Sequence, residues 1–176
     1  MTFLFHFYDN PCLEPLDAVT AAHNPARRMI NFGNIQQAGV LPYEIRKGKL
    51  RVLLITSTGT RRWIIPKGYV EPKLTARESA EFEAYEEAGV SGRLAATSIG
   101  AYTYVKRDEK GGGRFRVKVY PMEVTRILDD YPEAAQRKRK WMKVDDAIKA
   151  VEEPGLKTIL RTFARRHAAK TGAEKK

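Results

Sequence analysis

From Gly39 onward the apolar residues fall into short runs of strand length, set apart by turn-forming residues. Residues 39–45 and 50–56 predict the first two strands, and the unbroken Val52-Leu53-Leu54-Ile55 suits a strand covered on both faces, since a half-exposed strand alternates. Residues 62–66 predict a third, closed by Pro66, which has no N–H to donate. The pattern then changes character. Residues 75–88 are rich in Ala and Glu, contain neither Gly nor Pro, and are bounded as a helix should be. Thr75 with Glu78 three residues on is a capping-box pattern, and Gly89 stands where a left-handed C-terminal cap would go. Residues 94–106 and 114–125 read as two strands joined by a glycine-rich turn over 107–113. In the second, Phe115, Val117 and Val119 alternate with Arg116, Lys118 and Tyr120, which predicts one buried and one basic face.

An irregular loop is expected over 126–136, then a short strand over 138–142 and a helix over 145–152, broken by Pro154. A last helix over 156–169 carries Leu156, Ile159, Leu160 and Phe163 at helical spacing. Residues 1–35 show no sustained period and include Pro11, Pro15 and Pro25, so they read as an N-terminal arm ahead of a domain over 36–169 and a basic tail over 170–176. Strands mixed with helices predict an α/β domain, helices packed on a central mixed β-sheet.

Composition narrows the function classes. A chain of 176 residues, 43% hydrophobic and 30% charged, suits one packed domain rather than a multidomain machine. The net charge of +11 points to an anionic partner: nucleic acid, a phosphorylated metabolite or an acidic surface. One cysteine, Cys12, excludes an intrachain disulfide and fits a reducing compartment, so a cytoplasmic location is expected. No apolar run approaches the roughly 20 residues of a membrane span, and the opening residues lack the positive region of a signal peptide. His6, His23 and His167 are scattered and suggest no shared metal site.

The chemistry concentrates on the Glu-rich helix. At the helical repeat, Glu83, Glu86 and Glu87 project within an arc of about 100°. Like charges brought so close repel, and a hard divalent cation with oxygen ligands is the usual remedy. The competing reading is a solvated acidic face, because Glu is a good helix former. The frame around the helix separates the two: Pro66-Lys67-Gly68 leads into it and Gly89-Val90 follows it.

This stretch resembles the box of the Nudix hydrolase family: Gly, five residues, Glu, seven residues, Arg-Glu, an aliphatic residue, any residue, Glu-Glu, any residue, Gly, aliphatic. Gly68, Glu83, Glu86, Glu87, Gly89 and Val90 fall in register over 23 residues, with Ala84 at the first aliphatic position. The resemblance implies the Nudix α/β/α sandwich and hydrolysis of a phosphoanhydride with Mg²⁺ or Mn²⁺. It also implies that Gly68, Glu83, Glu86 and Glu87 form the metal-binding set, with Glu83 able to take a proton from the attacking water. Two box positions depart from the pattern: Leu74 replaces the first Glu and Phe82 the Arg. Their joint loss suggests replacement of an ion pair by apolar packing, with Glu71 as either a substitute helper or a turn residue. Glu133, in the loop after the box, is either a further acidic ligand or an exposed carboxylate.

Pro66 to Pro72 is similar to the box entry of the asymmetric dinucleoside tetraphosphate hydrolases, which implies a polyphosphate contact for Lys67. Residues 137–148 are similar to a segment of the diphosphoinositol polyphosphate phosphohydrolases. Within the run Arg137-Lys138-Arg139-Lys140, Arg137 and Arg139 are candidate substrate contacts, the alternative being a solvated strand face. Tyr102 and Tyr104 share a strand face and either stack on a base or pack in the core. The expected partner is an anionic phosphorylated small molecule, a dinucleoside or diphosphoinositol polyphosphate, and no membrane. Nucleic acid is the second choice, as substrate of an RNA 5′ pyrophosphohydrolase, because no aromatic and basic platform for single strands stands out. A catalytically silent phosphate- or nucleic-acid-binding module is the reading from a different class.

Overall fold

The computed structural model describes residues 34–106 and 112–173, with side chains as far as residue 169. The expected arm lies outside the described residues up to residue 33, and Ile35 already begins the first strand. In chain order the elements are β1 (Ile35–Arg46), β2 (Lys49–Thr56), β3 (Trp63–Ile64), β4 (Lys67–Tyr69), α1 (Ala76–Ala88), β5 (Val90–Leu94), β6 (Gly100–Lys106), β7 (Gly113–Ile127), β8 (Arg139–Lys143), α2 (Val144–Ala150) and α3 (Pro154–Ala173).

The strands form one mixed sheet, ordered β3-β2-β1-β7-β5, with β4 paired to β1, β6 to β7 and β8 to β2. β1 and β7 run parallel, from Ile35↔Phe115 to Tyr43↔Glu123, and the other pairings are antiparallel. Along β2 successive side chains enter opposite cores, as the unbroken apolar run predicts. Val52 and Leu54 join Leu41, Val117, Val119 and the α3 residues Leu156, Leu160 and Phe163. Leu53 and Ile55 join Ala38, Val40, Met122 and the α1 stripe Ala80, Ala84 and Ala88. Helices on both faces make the α/β/α sandwich. Each fully buried aliphatic side chain here contributes about 1.5–3 kcal/mol, and the alanine stripe lets α1 lie close against the sheet.

Three expectations are corrected. The strand over 62–66 is two strands, because Pro66 interrupts the pairing: β3 pairs with β2 and β4 with β1, while the Pro66 carbonyl accepts from the Val40 N–H at 3.0 Å. The strand over 94–106 begins only at Gly100, and a strand not expected, β5, precedes it over residues 90–94. β5 and β6 both pair with β7, β5 through 122–127 and β6 through 113–119, and residues 95–99 bridge the gap between them. Tyr120 is buried rather than part of a basic face, because α1 covers that end of β7 while Arg116 and Lys118 stay exposed. α2 ends at Ala150, capped by an extended Val151 and two residues short of expectation, and Pro154 starts α3, where its missing N–H has no helical partner to lose. α3 continues to Ala173 and so takes in the first residues of the expected tail. Among the described residues no helix is long and apolar enough to cross a membrane.

Candidate active site

The site is built by holding α1 in one rotational setting against β4. Both halves of the capping box are present: the Glu78 N–H donates to Thr75 Oγ1 at 3.2 Å, and the Thr75 N–H donates to Glu78 Oε2 at 2.8 Å. Such a cap stabilises by about 1 kcal/mol. At the other end Gly89 has φ 62°, a conformation side chains resist, and its N–H reaches the Ala84 and Tyr85 carbonyls. Ser79 ties the preceding turn to the helix, its Oγ accepting from the Glu71 N–H at 3.1 Å and donating to the Thr75 carbonyl at 3.1 Å.

In this setting Glu83 and Glu87 face β4. A Cβ on residue 68 would lie 1.7 Å from Glu83 Oε1, so the absence of a side chain at Gly68 is what admits the carboxylate. Glu87 is buried, 6% exposed, and its Oε2 accepts the Lys67 N–H at 2.8 Å. Its other oxygen is paired with Arg137, whose guanidinium also pairs with Glu133 and donates to the Thr56 carbonyl at 3.1 Å. The Glu133 N–H donates to the Glu86 carbonyl at 3.1 Å, which joins the loop before β8 to the end of α1.

Burial, then repulsion from Glu87 and Glu86, pushes the Glu83 carboxyl up to about 7. Burial also raises Glu87, against the pull of the Lys67 N–H and Arg137. Burial lowers Lys67, against the attraction of Glu87. Crowded carboxylate oxygens that resist carrying their charge are a donor set suited to a hard divalent cation. Their tips are nevertheless not gathered: among the described residues no three acidic, His or Cys side chains stand around one point. Glu87 is drawn to Arg137 and Glu86 is exposed, so the shared arc read from the sequence describes the helix face and not the carboxylate tips.

Residues 35–163 match the family model for the NUDIX domain. The chain belongs to the Nudix family. It is 30% identical to the mitochondrial Nudix hydrolase 12 of Arabidopsis thaliana over 146 residues, 73% of this chain and 71% of that protein. It is 39% identical to diphosphoinositol polyphosphate phosphohydrolase 2 of Rattus norvegicus over 104 residues, 57% of this chain but only 54% of that relative. The fold superposes on the C. elegans Ap4A hydrolase with a TM-score of 0.56 at 23% identity, covering 76% of this chain and 98% of that one.

The Nudix site differs from its expected form in identifiable ways. Phe82 is 56% exposed, so the lost box Arg is not replaced by apolar packing there. The cation that meets the box carboxylates comes instead from Arg137, 50 residues beyond Glu87. Arg137 lines a cleft of about 620 Å³ with Lys67, Glu83, Glu87 and Tyr104, but its guanidinium is committed to Glu87 and Glu133. Arg139 is a correction: it lies behind α1, donating to the Ala88 and Leu128 carbonyls at 2.9 and 2.6 Å and to Asp129, with its guanidinium 4.9 Å from the Tyr131 ring. There it compensates the negative C-terminal end of the helix. Glu133 is drawn into the site through Arg137, whereas the Glu71 side chain is exposed at a turn. Tyr102 is buried; Tyr104 stacks on Phe115 at 5.1 Å and donates to Gln37 at 2.9 Å, so it is a packed wall of the cleft.

Two cleft residues escape the sequence reading. Arg62 donates to Glu153 Oε1 at 3.1 Å, while the other oxygen of Glu153 is buried with no hydrogen-bond partner. Their separation of 91 residues hides the pair from any local pattern. The one local signal is the position of Glu153 directly before the helix-starting Pro154.

Proposed function

We propose that this Nudix domain, taken over residues 36–169, hydrolyses a phosphoanhydride in a polyphosphorylated small molecule, a dinucleoside polyphosphate or a diphosphoinositol polyphosphate. The observation that carries the reading is the pair of mutually repelling carboxylates, half-buried Glu83 and buried Glu87, beside Lys67 in a cleft of about 620 Å³. Glu83, Glu86 and Glu87, with the Gly68 carbonyl, are the residues that would hold a divalent cation, and Glu133, paired with Arg137, would add a further carboxylate if that pair opened. When bound, Mg²⁺ or Mn²⁺ neutralises charge developing on the phosphate oxygens.

The protein's own part is positioning and proton handling. Lys67 supplies an ammonium to the phosphates from the cleft wall. Glu83, raised to about 7, is matched to accepting a proton from the attacking water near neutral pH. Arg137 holds Glu87 in place, the office the box Arg at position 82 would have served for its neighbour. That substitution supports an active enzyme over a silent module, and the single cysteine supports a cytoplasmic setting.

The test is product release from diadenosine tetraphosphate, diphosphoinositol pentakisphosphate, ADP-ribose and triphosphorylated RNA, each with Mg²⁺, Mn²⁺ or chelator. Metal-dependent turnover of one of the first two is expected. Turnover of the RNA alone would move the substrate to polynucleotides, and binding without any turnover would establish a silent module.

A further inference from the structure

A second cleft, of about 610 Å³, lies at the other end of β2 from Thr56. From Thr56 to Arg51 the strand covers about 17 Å. The β1–β2 hairpin contributes Arg46, Lys47 and Lys49, β2 contributes Arg51, and β8 contributes Lys140 and Lys143. Asp146 is the one carboxylate among the lining residues. Arg51 is committed to Glu44 at 3.0 Å and to the Trp141 carbonyl. Among the described residues, no carboxylate pairs with the other five cations. Trp141 lies between Lys140 and Lys143 in this cleft, half-buried, with the Arg51 guanidinium 6.0 Å from its ring.

Lysines on β8 alone would have a simpler explanation, since charge on an edge strand deters pairing with another chain. That explanation does not extend to the hairpin. Its two-residue turn at Lys47 and Gly48, with φ of 50° and 69°, holds Arg46 and Lys49 as a cross-strand pair of like charges, a destabilising arrangement unless an anion lies between them. The two halves are brought together by the Arg51↔Lys143 pairing, across 92 residues. A concave array of unpaired cations with an aromatic ring in it matches a strand of phosphates carrying stackable bases.

We propose that this cleft binds single-stranded RNA through its backbone, separately from the catalytic cleft. A membrane headgroup or an acidic protein would satisfy the charge but makes no use of Trp141. The proposal does not rest on which anhydride the catalytic cleft cuts, or on whether it cuts one.

The probe is a short fluorescein-labelled single-stranded RNA with a 5′-hydroxyl end, which offers no anhydride to the catalytic cleft. Its affinity for the full chain is measured over a range of salt. R46E/K49E/K143E should weaken binding by more than about tenfold at moderate salt. R46A/K49A/K143A should flatten the slope of log affinity against log salt by about 2, about 0.7 for each lost phosphate contact. Lys47 is left unchanged because of its positive φ. Melting temperatures check that the variants fold, and hydrolysis of diadenosine tetraphosphate at the wild-type rate would place the effect outside the catalytic cleft. RNA binding that is absent in the wild type, or equal in all three proteins, overturns the proposal. So does loss by the variants of binding to phosphatidylserine vesicles with RNA binding intact. Absence of hydrolysis in the wild type would bear on the enzyme reading alone, since RNA binding is read independently.

Discussion

At the Thr56 end of β2, Glu87 and Arg137 are each about one-twelfth exposed and face one another, whereas at the Arg51 end most of the cations stand in solvent without carboxylates. The two clefts differ in volume by little, about 620 against 610 Å³, so burial rather than size separates them. A buried charge must find its partner within the fold, because desolvation cannot be recovered later. An exposed one keeps its water and waits for a ligand to arrive. The inner cleft is therefore closed around its own charge pair, and the outer one leaves its cations open to solvent.

The sharpest way to break this contrast is at Glu83. Glu83→Gln should reduce kcat by a factor of about 10² to 10⁴ with little change in KM, measured on whichever anhydride is turned over. Next is Arg137. Its replacement by Ala leaves the buried Glu87 carboxylate without its charged partner, which should cost about 3–5 kcal/mol in denaturant unfolding without metal. Arg137→Lys should recover little of this, because one ammonium cannot fork between Glu87 and Glu133. Added Mg²⁺ should restore part of it by taking over the neutralising role.

A smaller effect is expected from pH. Glu83 is raised from 4.5 to about 7, and Glu87 shifts the same way, so the metal-free folded chain binds protons more tightly than the unfolded chain. Their contribution to stability is fully present below pH 4.5 and lost as pH rises through about 7. Melting temperatures without metal should fall across that window, and Glu83→Gln should flatten the fall. The smallest effect belongs to the outer cleft, where R46A/K49A/K143A should change stability by no more than about 0.5 kcal/mol for each substitution.

The legible parts of this molecule were those with local causes. The α1 helix announces both ends, through Thr75 with Glu78 and through Gly89, and its glutamates carry the family register. The division of roles between Arg137 and Arg139 was not legible. Two residues apart, they would share a face in a strand, but β8 begins only at Arg139 and Arg137 belongs to the irregular segment before it. β5 was hidden because its Val-Ser-Gly-Arg-Leu carries only two apolar residues and a bulge at Ser91 and Gly92, so nothing local marks it as the partner of β7. The basic platform escaped notice because half of it sits in a hairpin near residue 47 and half in β8.

The parallel pairing of β1 with β7 joins residues such as Ile35 and Phe115, about 80 positions apart, whereas the β1–β2 hairpin closes through a two-residue turn. Hairpins form in microseconds, while distant pairings wait on costly loop closure. A chain emerging from synthesis can thus close its cationic hairpin before Glu87 has met Arg137 and before Lys143 has met Arg51, so both clefts are completed late, when β8 joins β2.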